Sequence, residues 1–183
     1  MKPISFARSV RLFVLPLLAI ASLGMAKKKP DIVVRFHVET HERDGAVFAM
    51  PVKFQNPPRA GFAERVPSIS ERDIRAIYPT QAPDGSFGCV FALTVHGRLA
   101  LQTLSNTRRG STMVVFVSTK SGTHQVIDML IDKPISDGII FIPRGLSQLE
   151  VQALAKAYPV MGQPKRKRGE KPQERAATAN VPR

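Results

Sequence analysis

The sequence DGIIFIPRGLSQLEVQALAKAYP, Asp137 to Pro159, contains a turn, a short apolar strand and a helix start in one continuous run. Ser147 and Glu150 have the Ser-x-x-Glu spacing of a capping box, in which each side chain accepts a hydrogen bond from the other residue's backbone NH. Apolar side chains then recur at helical spacing, and the proline at the end stops the helix; they are Val151, Leu154, Ala155 and Tyr158. Folding explains every residue type here, so we interpret the run as scaffold.

Further strands and a helix are predicted upstream of this run. Phe87 to Leu93 is an apolar strand, Thr94 is placed to cap a helix that reaches about residue 107, and Met113 to Val117 is a central strand. Short links between them predict a βαβ unit with both strands in one sheet and a right-handed crossover. Val126 to Ile131 and Ile139 to Ile142 add strands. The predicted fold class is α+β: one small domain, a mixed β-sheet with a βαβ unit, and a C-terminal capped helix packed on one face.

The region before residue 81 has a different pattern. Apolar and polar residues alternate from Val34 to Glu39, which predicts a half-buried strand, and Ala46 to Phe54 is predicted to return from the turn at residues 43–45 as a second strand. Gln55 to Pro67 is rich in Pro and Gly and is predicted to be loop. Ser70 either caps a short helix or precedes a strand at Ile74 to Tyr78; the sequence leaves both open.

Three side chains of the first strand are the only candidate metal ligands that we single out. His37, Glu39 and His41 fall on its polar face, where imidazole and carboxylate groups could bind a metal. The simpler interpretation is a solvated strand face, because a third reliable ligand cannot be named. We therefore assign no metal ligands.

Residues 1–26 have the features of a secretory signal peptide. Lys2, Arg8 and Arg11 precede the apolar run Leu12 to Ala21, which is shorter than a spanning helix requires. Small residues permit cleavage before Ser22 or Lys27. The alternative is an uncleaved N-terminal anchor, which the three lysines at 27–29 favour because positive charge after the apolar run resists export. We expect a periplasmic or secreted protein, with residues 27–31 as a basic linker before a domain at residues 32–162.

The net charge of +13 is concentrated at the two ends. Of 27 Lys and Arg and 14 Asp and Glu, 13 basic and two acidic residues lie in residues 1–29 and 163–183, so the remainder is nearly neutral. Residues 163–183 have a polar, proline-containing composition that predicts a disordered basic tail. Its candidate polyanion contacts are Lys165, Arg166, Lys167, Arg168 and Lys171. The tail has no aromatic residues for base stacking, so we predict no specific nucleic-acid recognition.

The sequence contains no recognised catalytic constellation. Cys89 is the single cysteine, lies in an apolar run and is expected to be buried, and neither a nucleophile elbow, a phosphate loop nor a Cys-x-x-Cys pair is present. We therefore predict that the protein is not an enzyme, has no cofactor and binds no small-molecule substrate.

Two segments together resemble a known family. LTVHGRLALQTLSNTRRGSTMVVFV (Leu93 to Val117) and KPISDGIIFIPRGLSQLEVQALA (Lys133 to Ala155) resemble the head of the first periplasmic domain of SecD, a membrane component of protein export. The matched positions include Leu93-Thr94, Gly97, Gly138 and Gly145-Leu146-Ser147, and the similarity covers about residues 84–158. SecD continues into membrane-spanning helices that this chain lacks. The resemblance therefore implies the fold of the head and contact with an unfolded or exported chain, without the proton-driven motor.

Two functions of different classes follow. The first is an exported, non-catalytic protein-binding or accessory module of the cell envelope, whose partner is another envelope or exported protein. The alternative is an adaptor that binds anionic surfaces, such as lipid, cell-wall polymer or nucleic acid, through its basic ends.

Overall fold

Eight β-strands and two α-helices make up the computed structural model, which describes residues 31–82 and 84–162. The strands are β1 (Ile32–Thr40), β2 (Ala49–Gln55), β3 (Pro58–Glu64), β4 (Ile74–Gln81), β5 (Phe87–Leu93), β6 (Thr112–Thr119), β7 (Gly122–Leu130) and β8 (Ile139–Leu146). The helices are α1 (Val95–Thr107) and α2 (Gln148–Ala157). One antiparallel sheet has the order β2-β3-β1-β6-β7 and the other the order β4-β5-β8. The α+β class is confirmed.

Both helices begin at the residues that the sequence predicts. The Thr94 hydroxyl accepts a hydrogen bond from the Gly97 NH at 3.2 Å and caps α1. At α2, the Ser147 NH donates to Glu150 Oε2 at 2.9 Å and the Glu150 NH donates to the Ser147 hydroxyl at 3.3 Å. The capping box is therefore confirmed, and it satisfies backbone NH groups that have no partner inside the helix.

The main hydrophobic core combines residues of the two sheets with one face of each helix. The rings of Phe36 on β1 and Phe91 on β5 contact edge to face across it, with centroids 5.8 Å apart. Leu101 from α1 and Leu154 from α2 are almost completely buried in the same core. The C-terminal helix thus packs where its apolar face predicts. Its contacts are with β1, β4 and β5, so it joins the two sheets.

The predicted βαβ unit is wrong in its strand pairing. β5 pairs with β4 and β8, whereas β6 pairs with β1 and β7, so the strands before and after α1 lie in different sheets. Every ladder among the named strands is antiparallel, so neither sheet of described strands has the predicted mixture of parallel and antiparallel strands. Periodicity identified the strand, helix and strand correctly, but the choice of neighbour depends on strands that are distant in the sequence.

The interpretation of residues 55–67 as loop is also wrong. Pro58 to Glu64 form β3, which pairs along its whole length with β2 and joins β1 only at Glu39–Ala63 and Thr40–Phe62. Pro58 is tolerated because it is the first residue of the strand. Gly61 is required where the Phe54 ring crosses it, since a Cβ there would lie 2.5 Å from that ring. β2 is therefore separated from β1 by β3, and the predicted pairing of the first two strands does not occur.

The ribbon of β2 and β3 covers the face of β1 and β6 that is turned away from the main core. Val52, Phe54 and Ala63 form a second, smaller core there with Val114 of β6. The turn between the two strands is attached to β7, because Asp128 Oδ2 accepts hydrogen bonds from the NH groups of Gln55 and Asn56, both at 2.9 Å.

The two alternatives for the Ser70 region each describe part of it. Ser70 caps a single 3₁₀ turn, Glu71–Asp73, and β4 follows directly from Ile74. The Asp73 carbonyl accepts a hydrogen bond from the Thr94 NH at 2.7 Å, which joins this turn to the start of α1.

Candidate functional site

Two adjoining depressions form a groove on the surface beside α1. One has a volume of about 350 Å³ and follows the helix, and the other has a volume of about 380 Å³ and lies near the start of β2. Arg108, the residue after α1, lines both. We name this surface the Arg108 groove; it is lined by Ser68, His96, Leu99, Ala100, Thr103, Leu104 and Thr107 along the helix, and by Thr40, Asp44, Phe48, Glu64 and Val66 beyond Arg108.

Three apolar side chains of the groove are largely exposed. Phe48, Val66 and Leu99 have exposed fractions of 66%, 70% and 53%. Leu99 lies on the side of α1 away from the buried Gly97 and Leu101. The NH of Arg65 donates to the Phe48 carbonyl at 2.6 Å, so the segments that carry Phe48 and Val66 run side by side. The arrangement brings together apolar surface from three separate parts of the chain.

A partly exposed ion pair lies where the two depressions adjoin. Arg108 Nη2 lies 2.8 Å from Glu64 Oε1, and the Ser68 hydroxyl donates to the other oxygen of Glu64 at 3.2 Å. Asp44 is the second carboxylate of the groove. Hydrogen bonds from the Thr40 hydroxyl and from the His41 NH lower the pKa of its carboxyl group. The groove therefore combines exposed apolar side chains with charged groups that already have partners.

Ser70, Asp73 and His96 form a hydrogen-bonded chain at one end of the groove. His96 Nδ1 lies 2.8 Å from Asp73 Oδ1, and the Ser70 hydroxyl donates to Asp73 Oδ2 at 2.9 Å. A catalytic triad needs the serine hydroxyl bonded to the histidine. Here Asp73 lies between Ser70 and His96, so the serine hydroxyl is not bonded to the histidine. Ser70 and Asp73 instead cap the 3₁₀ turn at residues 71–73. Burial acts to raise the pKa of Asp73, but hydrogen bonds from Ser70 and His96 outweigh it and the pKa is lowered.

The three side chains considered as metal ligands lie in different surroundings, and two of them have other partners. His37 is buried beneath the β2–β3 ribbon, where its Nδ1 donates to the Glu64 carbonyl at 2.7 Å and its ring stands edge to face with Phe116. Glu39 receives two hydrogen bonds of 2.6 Å from Arg59, which lower its pKa. His41 is exposed and precedes the 3₁₀ turn at residues 42–44. A solvated face is therefore the wrong description for His37, because the ribbon covers it.

Cys89 is completely buried, as its apolar neighbours predict. Burial raises the pKa of its thiol to about 12, so the reactive thiolate is not populated at neutral pH.

Several predictions concern residues outside those that the structure describes. They include the signal peptide, most of the basic linker, the disordered tail and the polyanion contacts Lys165, Arg166, Lys167, Arg168 and Lys171. These stay predictions. Within residues 31–82 and 84–162, no helix is both long enough and apolar enough to cross a membrane.

The sequence reasoning missed the Arg108 groove. One signal was available in α1, where Val95 and Leu99 are apolar and four residues apart but lie off the inward stripe. Phe48 and Val66 gave no such signal, because only the pairing of β2 with β3 brings their segments together.

Solved structures of one export component are similar to this chain. No protein-family model matches the chain, and no curated protein matches it. One similar structure is that of the membrane component SecDF that enhances protein export, with 11% sequence identity, a TM-score of 0.48, and coverage of 88% of this chain and 74% of that one. Another is SecDF in its super-membrane-facing form, with 13% identity, a TM-score of 0.43, and coverage of 72% of this chain and 20% of that one. At these values neither structure assigns the chain to a family.

Proposed function

We propose that the domain is a non-catalytic module that binds a short apolar segment of another protein chain in the Arg108 groove. The observation that carries this proposal is that largely exposed apolar side chains line both depressions, Leu99 the first and Phe48 and Val66 the second, and that the two depressions share Arg108. Single exposed apolar residues are common on protein surfaces, whereas several of them along adjoining depressions favour a binding role.

The size of the groove suits side chains of a peptide. Volumes of about 350 and 380 Å³ fall at the lower end of ligand-pocket sizes, so each depression accommodates one or two apolar side chains. Burying one such side chain contributes about 1.5 to 3 kcal/mol. Two such contacts support moderate affinity without a large interface.

We expect the charged groups of the groove to orient a bound segment and to add little to its affinity. Arg108 is already paired with Glu64, and Asp44 is already hydrogen-bonded to Thr40 and the His41 NH. A bound segment would therefore gain little from new ion pairs, because these groups stay solvated at the rim. We accordingly expect the binding to survive high salt.

The compartment and the partner class belong to the same proposal. A basic leader followed by a short apolar run supports export to the cell envelope, where the partner would be another envelope or exported chain. The second candidate function, adhesion to anionic surfaces through the basic ends, is favoured by the concentration of charge in residues 1–29 and 163–183. Binding to phosphates or lipid head groups would weaken steeply with salt, which separates the two functions.

The test measures binding of a fluorescent, reduced and carboxymethylated unfolded protein by anisotropy at high salt. Leu99→Ser and Val66→Ser should each weaken binding by roughly 1.5 to 3 kcal/mol, or about ten- to a hundredfold, because each removes an apolar contact. Leu149→Ser is the matched control, since Leu149 is 78% exposed on α2 and lies outside the groove.

Thermal unfolding of each variant checks that the fold is intact. Wild-type affinity in both groove variants, or an equal loss in Leu149→Ser, would refute the proposal.

A further inference from the structure

His37 lies beneath the end of the β2–β3 ribbon that forms part of the Arg108 groove. The residue is 6% exposed, and its Nδ1 donates a hydrogen bond to the Glu64 carbonyl at 2.7 Å. Glu64 is the last residue of β3, and its carboxylate Oε1 lies 2.8 Å from Arg108 Nη2. Glu64 therefore contacts the buried histidine through its backbone and the arginine shared by both depressions through its side chain.

The ribbon is held at its turn and has few attachments to β1 at its Glu64 end. At the turn, Asp128 accepts hydrogen bonds from two backbone NH groups. At the other end, β3 pairs with β1 only through Phe62 and Ala63, whereas it pairs with β2 along its whole length. Regions with few buried apolar contacts open at a small cost in free energy. The ribbon can therefore move away from β1 at this end without breaking its own ladder.

Such a movement would dismantle the second depression and leave the first one intact. The Phe48 carbonyl accepts a hydrogen bond from the Arg65 NH, so Phe48 and Val66 follow the end of β3. In the first depression, Leu99 lies on α1, which packs on the main core. Ser68 also stays in place, because its NH donates to a carbonyl of β1 at 2.9 Å.

Two charged groups of the described residues act on the His37 ring, Arg35 and Glu64. Burial is the main cause that lowers the pKa of His37; the hydrogen bond to the Glu64 carbonyl opposes the shift, Arg35 adds to it, and the Glu64 carboxylate opposes it. From β6 the ring is faced by the uncharged Phe116. The other carboxylate on this face of β1, Glu39, forms an ion pair with an arginine of β3. A proton on His37 therefore has no free counter-charge beneath the ribbon among these groups.

Acid consequently favours the open position of the ribbon. While the ribbon covers His37, the ring stays neutral to a lower pH than an exposed histidine, which takes up a proton near pH 6.5. Each pH unit below 6.5 shifts the balance toward the open position by up to about tenfold, until the pH reaches the lowered pKa of the covered ring.

We propose that the β2–β3 ribbon is a pH-sensitive wall of the Arg108 groove, which moves away from β1 when His37 is protonated and so removes the second depression. At neutral pH both depressions bind the apolar segment, and in acid only the first one remains. The inference rests on the proposed function, since it concerns the regulation of the same groove.

The pH dependence of binding tests this regulation. Anisotropy with the same unfolded protein at high salt should show an affinity that falls by about three- to thirtyfold between pH 6.5 and 5. Val66→Ser should weaken binding at pH 7.5 and have little effect at pH 5, because the second depression is then already lost. Leu99→Ser should weaken binding equally at both pH values, since α1 does not move.

Substitution of single histidines identifies the group responsible. The side-chain amide of Gln can donate to the Glu64 carbonyl and does not titrate in this range, so His37→Gln should bind as tightly at pH 5 as at pH 7.5. His41→Gln and His96→Gln are the matched controls, since His41 is exposed and His96 lines the first depression. Both controls should keep the pH dependence of the wild type, whatever their affinity at pH 7.5.

Hydrogen exchange follows the ribbon without a ligand. The ratio of exchange rates between wild type and His37→Gln cancels the intrinsic effect of pH on exchange. For amides of β3 this ratio should rise about three- to thirtyfold from pH 7.5 to pH 5. At pH 5 the β3 amides of the wild type should also be less protected than those of α2, which identifies a local opening rather than unfolding of the domain.

The proposal is overturned if the exchange ratio at β3 does not change with pH, or if β3 and α2 are protected equally at pH 5. It is also overturned if Val66→Ser weakens binding as much at pH 5 as at pH 7.5, a comparison that does not depend on the folding of His37→Gln. Absence of binding at every pH would refute the proposed function alone, because the exchange measurement would still decide whether the ribbon moves.

Discussion

At the scale of single residues, the tertiary environment changes what a side chain can do. His37 belongs to an alternating strand pattern that predicts exposure, yet the β2–β3 ribbon buries it against Phe116 and the Glu64 carbonyl. Burial lowers its pKa from 6.5, and the nearby Arg35 lowers it further, while the hydrogen bond to Glu64 opposes the shift. His37, which the sequence offered as a candidate metal ligand, is therefore a neutral histidine in the core.

This burial predicts a dependence of stability on pH. The unfolded chain takes up a proton on His37 near pH 6.5, whereas the folded chain resists it to a lower pH. The free energy of unfolding is therefore highest, with respect to His37, above pH 6.5. It decreases as the pH falls from 6.5 toward the lower pKa of His37 in the folded chain, by up to about 1.4 kcal/mol per pH unit. Urea unfolding between pH 5 and 8 measures it.

His37→Gln should remove this part of the pH dependence, while His41→Gln, at an exposed position, should retain it. An identical pH profile in wild type and His37→Gln would show that the histidine is not buried in the neutral form.

At the scale of elements, local signals determined the helices and distant partners determined the strands. α1 and α2 begin at Thr94 and Ser147 because the capping side chains are adjacent in sequence to the groups that they satisfy. β3 has no comparable local signal: its Pro and Gly residues indicate loop, and it is a strand because β2 supplies a complete ladder. Its second support is Asp128 on β7, which holds the turn between β2 and β3.

Asp128 is expected to hold the whole ribbon in place. Asp128→Ala removes the acceptor of two backbone NH groups in a side-chain site that is only 5% exposed. The cost should be about 2 to 4 kcal/mol of unfolding free energy, because hydrogen bonds to a charged group contribute about 1.5 to 3 kcal/mol each and partial solvation offsets some of the loss. Urea unfolding measures it.

Hydrogen exchange gives the local readout. The amides of Gln55 and Asn56 should exchange faster in Asp128→Ala, whereas amides in α2 should change only as much as the global stability does. Unchanged exchange at both turn amides would mean that the ribbon is held by its small apolar core alone.

At the scale of the whole molecule, the apolar core and groove lie in a different part of the sequence from most of the net charge. The main core and the Arg108 groove belong to residues 31–82 and 84–162, whereas the net charge is concentrated in residues 1–29 and 163–183. The two candidate functions reflect this separation, since binding in the groove depends on apolar contacts and adhesion to anionic surfaces depends on the basic ends.

Deleting residues 163–183 tests the separation. We expect almost no change in the melting temperature, because a segment of this composition cannot bury enough apolar surface to stabilise the fold. Affinity for anionic vesicles should fall, and binding of the unfolded protein at high salt should not change. Differential scanning calorimetry and the two binding measurements check this; a lower melting temperature would show that the segment packs on the domain.

The sequence by itself determined the α+β class, both helices with their caps, the strand at Phe87–Leu93 and the burial of Cys89. These features depend on periodicity and on contacts a few residues apart, which a linear pattern records. Only the tertiary structure decided that β5 and β6 lie in different sheets, that residues 58–64 form a strand over His37, and that the depression beside Leu99 and the one beside Phe48 and Val66 share Arg108. The physical reason is that strand pairing and surface clustering join residues distant in sequence, so their energy has no local signature.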